Sequence, residues 1–221
     1  MTDARKIIAV LVAGGRGTRA GSDGPKQWQS LAGKRVADWT VAAFADHADI
    51  AGIVVVHHAD DRAEAETLPY APVLAVGGVT RAASVHAGLE ACAALSPTHV
   101  MIHDMARPCI TADVLNRCIT ALDQGAAAPA LTVADALWRG ENGKVQHPVD
   151  RENLFRAQTP QCFAYADICA AHDTAPASAK DDVEVALAAG LDVTIVAGCE
   201  NNLKITYPAD FARAEQILRH L

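Results

Sequence analysis

Five apolar runs constrain the fold of this chain more than any other feature. None of them alternates strictly between apolar and polar residues, which is typical of strands that are buried on both faces, as in a parallel sheet. Segments with apolar residues at helical spacing separate the runs, which are IIAVLVA (7–13), GIVVVHH (52–58), THVMIH (98–103), AAAPALTV (126–133) and VTIVAG (193–198). This alternation of strands and helices predicts an α/β fold, a three-layer αβα sandwich.

The helices between the runs have start and stop signals of their own. Val114 and Cys118 belong to an apolar stripe within TADVLNRCITAL,. Asp181 and Glu184 have the spacing of a helix N-terminus, and Pro208 is typical of the first turn of a last helix,. Because a chain of 221 residues has the size of one domain, we expect a single domain over residues 1–221,.

Residues 133–163 break the alternation. They contain two extended pieces around the turn GENGK, are rich in polar residues and lack helical periodicity. This pattern predicts a β-arm, over residues 133–160, that projects from the domain. A short hairpin cannot bury itself, so we expect the arm to dock on a second subunit and form a homodimer.

Composition excludes several classes of partner. The net charge of −7 argues against a broad nucleic-acid surface, which needs an excess of basic residues,. No stretch approaches the roughly 20 apolar residues of a membrane span. The six cysteines form no C-x-x-C pair and are typical of reduced thiols,. We therefore expect a cytoplasmic protein that binds neither nucleic acid nor membrane.

A glycine-rich segment, VAGGRGTRAGSDGPKQW (12–28), follows the first apolar run. Its glycines let backbone N–H groups approach phosphate oxygens, and Arg16, Arg19 and Lys26 supply positive charge,. A nucleoside triphosphate, with about four negative charges, suits this set of cations. A glycine-rich turn with solvated cations is the simpler alternative.

The same segment also satisfies a loose dinucleotide fingerprint, Gly15-x-Gly17-x-x-Ala20. An NAD(P)-dependent oxidoreductase is therefore a competing interpretation, and CTP would not be its ligand. That fold requires a second strand ending in an acidic residue roughly 20 positions on. The corresponding stretch, KRVADWTVAAFADH, has helical periodicity instead.

Other polar residues follow the later apolar runs, where parallel strands bind ligands. Asp104 and Arg107 occur in HDMARP, Gly77 and Gly78 precede a predicted helix, and Lys204 lies in NNLKIT. A carboxylate at such a position can hold Mg²⁺ or a ribose hydroxyl, and an arginine can hold a phosphate. Each motif alone is equally consistent with a cap, a turn or a surface cation.

Taken in order, these motifs resemble those of the 2-C-methyl-D-erythritol 4-phosphate cytidylyltransferases of the non-mevalonate isoprenoid pathway. The resemblance covers the full chain and depends on VAGGRGTRAG, PKQW, VGG, RAASV, HDMARP, VDRENLFRAQTPQ, DDVEVA and NNLKIT. It implies a Rossmann-like nucleotidyltransferase domain with an arm that completes the partner's site. It also implies transfer of a cytidylyl group from CTP to methylerythritol phosphate with release of pyrophosphate, assisted by Mg²⁺ or Mn²⁺.

The resemblance implies a role for each matching residue. The catalytic residues would be Arg19, Lys26 and Lys204, which act on the phosphoryl groups. The nucleotide would be bound by Ala13, Gly14, Gly15, Gly77, Gly78, Ser84 and Asp104, and Asp104 would also hold the metal. The acceptor would be bound by Arg107, Thr159 and, from the partner subunit, Arg151.

Four positions depart from the family pattern. Val79 stands where an acidic residue is frequent, Met105 replaces alanine, and Ala136 and Lys180 replace threonines. Each lost hydroxyl contact would be worth on the order of 1 kcal/mol, so these changes bear on the acceptor more than on the reaction. A sister enzyme that takes ribitol 5-phosphate is therefore an alternative, and a non-catalytic nucleotide-binding module is a more distant one.

Overall fold

A mixed eight-stranded sheet organises the computed structural model, which describes residues 5–16, 24–175 and 178–220. The strands are β1 (Ile7–Ala13), β2 (Ser30–Leu31), β3 (Lys34–Arg35), β4 (Ile50–His57), β5 (Val73–Val76), β6 (His99–Asp104), β7 (Ala126–Thr132), β8 (Leu137–Glu141), β9 (Lys144–Val149), β10 (Phe155–Ala157), β11 (Gln161–Ala164) and β12 (Val193–Ala197). The helices are α1 (Val36–Ala45), α2 (Arg62–Glu66), α3 (Arg81–Cys92), α4 (Ala112–Ala121), α5 (Tyr165–Asp173), α6 (Asp182–Ala188) and α7 (Pro208–Leu218).

Strand β1 is buried on both faces, as its continuous apolar sequence predicts. Leu11 and its alternate neighbours pack in one core with α1 and α4. Val10 packs in a second core, on the opposite face, with α3, α5 and α6. Two cores on the two faces of one sheet confirm the three-layer αβα sandwich.

The order of the strands in the large sheet is β10-β7-β11-β6-β1-β4-β5, with β12 paired to β7. Strands β6, β1, β4 and β5 run parallel, as does the pair of β7 and β12. All five predicted strands are present in this sheet. The sequence did not predict β10 and β11, which run antiparallel to β7 and β6.

Strands β8 and β9 form a separate two-stranded hairpin. Asn142 and Gly143 in its turn have φ angles of 50° and 74°, the left-handed pair that a tight hairpin turn requires,. Trp138 and Val145 are exposed on this hairpin. The free arm is shorter than residues 133–160, because Phe155–Ala157 returns to the large sheet beside β7. Its role in dimer formation stays a prediction.

The helix ends follow the predicted signals. Asp181 caps α6, because its carboxylate accepts a hydrogen bond of 2.9 Å from the backbone N–H of Glu184,. Pro208 is the first residue of α7. In the part of the chain that is described, no helix has both the length and the apolar character needed to cross a bilayer.

The path of the chain creates a crevice beside β1. From β1 the chain passes to β4 and β5 on one side, and it then continues in β6 on the other side. Val12 of β1 stands directly beside Asp104 of β6 at their carboxyl ends. Ligands of open parallel sheets bind at such a reversal of strand order, which makes this edge the place to search for a site.

Candidate active site

A cleft of about 360 Å³ occupies this crevice. Its walls come from the ends of β1 and β6, the loop after β5, the first turn of α3 and the segment after β12. The residues that line it include, from the predicted set, Ala13, Gly14, Gly15, Lys26, Gly78, Ser84, Asp104 and Lys204. Segments that are distant in sequence therefore supply one cavity at the carboxyl edge of the sheet.

Close packing explains the small residues on one wall of the cleft. A Cβ atom on Gly78 would lie 2.5 Å from Cβ of Ala83, and one on Gly77 would lie 2.9 Å from Oγ of Ser84. The Ser84 hydroxyl donates to the carbonyl of Thr80 at 2.9 Å, so α3 stands close beneath the glycines. A ligand can thus approach the backbone of this wall without meeting a side chain.

Asp104 forms ion pairs with two cationic side chains at the cleft. Its Oδ2 lies 2.9 Å from Nζ of Lys204 and 3.4 Å from Nε of Arg107. Burial alone would raise the pKa of Asp104, but Lys204, Arg107 and Arg81 outweigh burial and hold that pKa far below its usual value,. The carboxylate is therefore ionised at any pH at which the protein works.

A buried, neutral histidine supports the Asp104 strand end. Burial lowers the pKa of His103 to about 3, so the ring is uncharged at neutral pH. Its Nε2–H donates to the carbonyl of Arg107 at 3.3 Å, and its Nδ1 accepts from the Thr159 hydroxyl at 2.9 Å. The Thr159 oxygen in turn accepts from the backbone N–H of Asp104 at 3.2 Å. Both described partners of this hydroxyl are internal, so its predicted contact with substrate stays a prediction.

Arg107 is held from the opposite side by Asn202, which was not among the predicted site residues. Nη1 of Arg107 donates to the Asn202 carbonyl at 2.7 Å, and the Asn202 amide donates to the Thr159 carbonyl at 2.8 Å. Asn202 is fully buried two residues before Lys204. Its position in NNLKIT was the available signal, but a contact over 95 residues cannot be inferred from spacing.

The end of the glycine-rich segment is tied to the floor of the cleft. Nζ of Lys26 donates to the carbonyl of Ile205, the residue after Lys204. The side chain of Gln27 donates to the carbonyls of Ala13 and Gly15, at 2.7 and 3.2 Å. Both predicted catalytic lysines, which are 178 positions apart, thus lie at the same cavity.

Three other predicted cations have different positions. Arg19 lies outside the described residues. Arg16 was grouped with the triphosphate cations, but its Nη1 pairs with Oδ1 of the buried Asp61 at 2.8 Å, away from the lining of the cleft. Arg151 is exposed on the segment after β9, where its Nη1 donates to the Ala134 carbonyl. In the single chain it does not line the cleft.

A second groove of about 340 Å³ continues from the cleft. It shares Lys204 and Thr206 with the cleft and is also lined by Arg107, Arg156 and Arg213. Lys204 therefore faces both cavities. Both cavities are lined by cationic side chains, which suit anionic ligands,.

The departures from the family pattern lie at different depths. Val79 is fully exposed at the lip of the cleft, whereas Met105 is buried in its floor. Arg81, which was not among the predicted site residues, also lines the cleft from the first turn of α3. Its position three residues after Gly78 was the available sequence signal.

The donor set for a metal is small. Among the described residues, no group of three His, Cys, Asp or Glu side chains could enclose an ion. Asp104 is the acidic residue that lines the cleft. Mg²⁺ in nucleotide enzymes commonly takes one or two carboxylates and completes its shell with phosphates and water, so a single carboxylate fits such an ion.

Comparisons with known proteins agree with this geometry. A family model described as IspD, 2-C-methyl-D-erythritol 4-phosphate cytidylyltransferase, matches residues 7–220. The chain is 54% identical over 215 residues to a protein of that name from Cereibacter sphaeroides, across 95% of this chain and 96% of the relative. It is 52% identical over 217 residues to one from Roseobacter denitrificans, across 97% of each chain.

A solved structure of similar architecture supports the same assignment. The 2-C-methyl-D-erythritol 4-phosphate cytidylyltransferase of Thermus thermophilus aligns with a TM-score of 0.80 and 34% sequence identity, over 95% of this chain and 98% of that one. Agreement in sequence and in fold thus extends over nearly the whole length. The chain belongs to the 2-C-methyl-D-erythritol 4-phosphate cytidylyltransferase family.

Proposed function

We propose that this protein transfers the cytidylyl group of CTP to 2-C-methyl-D-erythritol 4-phosphate, giving 4-diphosphocytidyl-2-C-methyl-D-erythritol and pyrophosphate. The observation that carries the proposal is the convergence of Lys26, Lys204, Asp104 and Arg107 at one carboxyl edge of the sheet. Membership of the family supports the choice of nucleotide and acceptor.

The reaction is an in-line displacement at the α-phosphorus of CTP. An oxygen of the acceptor's phosphate attacks that phosphorus, a new P–O bond forms, and the bond to the bridging oxygen of the β-phosphate breaks. Pyrophosphate leaves with the electron pair of that bond. Because the attacking phosphate is already an anion at neutral pH, the protein has no need of a general base. Catalysis then consists of positioning and charge stabilisation.

The lysines supply the positive charge for this step. Lys26 lies in the cleft and, with Arg19, stabilises the charge that accumulates on the α-phosphoryl group. Lys204 faces both cavities, and it holds the α-phosphate and the incoming phosphate close together. Two anions repel each other, so a shared cation lowers the free energy of their approach.

The acceptor lies in the second groove. Arg107 lines this groove, and its guanidinium suits a phosphate monoester because two N–H groups can bind two oxygens,. The Thr159 hydroxyl donates to His103, which in turn donates to the carbonyl of Arg107, so Thr159 helps to fix the backbone at this arginine. Arg151 completes the acceptor site from the arm of a partner subunit in a homodimer. The exposed Trp138 and Val145 of the arm support such a dimer, since they are uncovered in the single chain.

Asp104 would hold the divalent ion, Mg²⁺ or Mn²⁺, together with oxygens of the bound triphosphate,. When bound, the ion supplies positive charge that offsets part of the charge of the triphosphate. Lys204 and Arg107 keep the Asp104 carboxylate ionised and ready to serve as a ligand. We place the enzyme in the cytoplasm, a proposal that the six free cysteines support,.

The test is pyrophosphate release by the purified protein with CTP and Mg²⁺. Methylerythritol 4-phosphate, ribitol 5-phosphate and no acceptor are run in parallel. Release with methylerythritol phosphate alone supports the proposal and shows that Ala136 and Lys180 are tolerated. Release with ribitol phosphate would retain the chemistry and change the acceptor. A folded protein that is silent with every acceptor would contradict the proposal.

A further inference from the structure

A buried ion-pair chain leads from the cleft into the helical layer. Nη2 of Arg81 lies 2.7 Å from Oδ2 of Asp182, the first residue of α6. The other oxygen, Oδ1 of Asp182, accepts from Nε2–H of His172 in α5 at 3.2 Å. The side chains of Asp182 and His172 are each only 1% exposed. Three elements are thus joined through one carboxylate.

The backbone around Asp182 is also fixed. The N–H groups of Asp182 and Val183 both donate to Oε1 of Gln161, at 2.8 and 3.1 Å. The amide of Gln161 donates to Oδ2 of Asp181 at 3.1 Å. Gln161 belongs to β11, so the backbone at Asp182 is anchored to the sheet, while the Asp182 carboxylate is held by His172 of α5.

Arg81 is the end of this chain that reaches the cleft. Its side chain lines the cavity together with Gly78, Thr80 and Ser84, which form the wall at the start of α3. Asp182 takes one N–H of Nη2, and no described residue accepts from the other four N–H groups of the guanidinium,. Burial opposes the charge of Arg81, but the carboxylates of Asp182 and Asp104 outweigh burial and raise its pKa.

We propose that Asp182, braced by His172, is a positioning residue that holds Arg81 against this wall so that its uncommitted N–H groups contact the nucleotide. An arginine side chain has several rotatable bonds, and freezing them on binding costs conformational entropy. A carboxylate that fixes the guanidinium before CTP arrives removes that cost from binding. Burying three polar side chains gives little stability beyond that of an apolar core of similar volume. Holding Arg81 ready for the nucleotide is a physical reason for the arrangement.

The inference depends on the proposed function, because it names CTP as the ligand. The arrangement places Arg81 on the nucleotide wall and not in the groove assigned to the acceptor. Loss of the positioning contact should therefore raise the KM for CTP, with little change in kcat or in the KM for the acceptor.

The experiment compares Arg81→Ala, Asp182→Asn, His172→Leu and His172→Gln in the full-length protein. CTP binding in the presence of Mg²⁺ is measured by calorimetry without acceptor, and steady-state kinetics follow. We expect Asp182→Asn and Arg81→Ala to weaken CTP binding about tenfold and to leave kcat within about threefold. His172→Leu should weaken CTP binding severalfold. His172→Gln should be close to the wild type, because its amide can still donate to Asp182.

CTP binding by the double variant Arg81→Ala with Asp182→Asn distinguishes a positioning role of Asp182 from a purely structural one. If Asp182 acts through Arg81, the second substitution adds nothing to the loss of CTP binding caused by the first. Asp38→Asn is the matched control, since Asp38 makes a 2.7 Å pair with Arg35 that does not line the cleft. Its CTP binding should equal that of the wild type.

Normal CTP binding by a folded Asp182→Asn protein would overturn the inference, as would fully additive losses in the double variant. If Asp182→Asn does not fold, the histidine pair decides, and equal effects of His172→Leu and His172→Gln would overturn the bracing role. Failure of the wild-type protein to bind CTP would contradict both the proposed function and the inference. If the wild type binds CTP and the variants bind it equally well, the inference alone is contradicted.

Discussion

Nζ of Lys204 lies 2.9 Å from Oδ2 of Asp104, although 100 positions separate the two residues in the chain. Asp104 ends β6, and Lys204 lies in the segment between β12 and α7. The lysine that is to hold phosphates is thus paired with the carboxylate that is to hold a metal. When a metal–triphosphate complex binds, Lys204 would exchange the Asp104 carboxylate for a phosphate, which is also an anion. Asp104 would exchange the Lys204 ammonium for the metal, which is also a cation.

The proposed exchange predicts that the charge of Asp104 is essential for activity. Substitution Asp104→Asn leaves Lys204 and Arg107 without their carboxylate and removes the proposed metal ligand. We expect kcat/KM to fall by about 100-fold or more and the Mg²⁺ concentration for half-maximal rate to rise. Rates measured over a range of Mg²⁺ concentrations check this. Asp113→Asn, on the exposed face of α4, serves as the control, and an unchanged Mg²⁺ requirement in Asp104→Asn would contradict the assignment.

Lys26 should act on the transition state more than on bound CTP. Lys26→Ala removes a cation beside the phosphoryl group that gains charge during attack, so kcat should fall about 100- to 1,000-fold, with a change in the Kd for CTP below about threefold. Single-turnover rates and calorimetry separate the two effects. Lys34→Ala is a suitable comparison, because Lys34 stacks on Trp39, 4.6 Å from Nζ to the ring centre, and does not line the cleft. Equal losses in binding and in rate would make Lys26 a ground-state anchor.

The proposed sharing of sites between subunits can be tested by complementation. Lys26→Ala and Arg151→Ala subunits should each be nearly inactive, because each homodimer has two defective sites. In a mixed dimer, one site has an intact Lys26 and receives an intact Arg151 from the partner. Statistical mixing would then restore about a quarter of the wild-type activity. Mixed dimers that form, as shown by two affinity tags, and stay inactive would exclude the shared site.

The buried thiols predict how stability depends on alkaline pH. Burial raises the pKa of Cys92 and of Cys109 from 9.0 to about 12. Since the folded-state pKa lies above the unfolded one, the stabilisation is complete below pH 9 and is lost as the pH rises toward 12. At pH 10 each thiol should cost about 1.4 kcal/mol of the free energy of unfolding.

Urea unfolding at pH 8 and at pH 10, with reductant present, measures this loss. Cys92→Ala should be less stable than the wild type at pH 8, because it leaves a small cavity. Its further loss between pH 8 and pH 10 should be smaller by about 1.4 kcal/mol, since one ionising thiol is gone. The same further loss in both proteins would show that Cys92 ionises normally in the folded state.

Local signals predicted most of the fold. The five apolar runs became β1, β4, β6, β7 and β12. Strand β1 is buried on both faces and so needs apolar residues at every position, whereas β12 is only partly buried and its Ile195 is exposed,. Asp181 became the cap of α6, since a cap depends on residues only three positions apart,. The strands β10 and β11 were not predicted, because their place in the sheet is set by pairing with β7 and β6 and by nothing within their own sequences.

Charge partners were the least predictable feature of the site. Arg16, Arg19 and Lys26 are alike in sequence as cations of one loop, but Arg16 pairs with Asp61 whereas Lys26 lies in the cleft. Arg81 received no role, because its partner Asp182 is 101 positions away. A side chain's electrostatic surroundings consist of whatever the fold brings within a few ångströms, and the sequence does not state those distances.

The sequence by itself therefore determined the layered fold, the family and the cleft residues that follow the predicted strands, since each depends on local periodicity or on ordered motifs. Only the tertiary structure decided which of the described cations line the cleft and which of them pair with carboxylates. It also decided that Asp104 carries Lys204 and Arg107 and that Asp182 holds Arg81. The physical reason is that Coulomb and hydrogen-bond energies depend on separation in space, which only the folded chain defines.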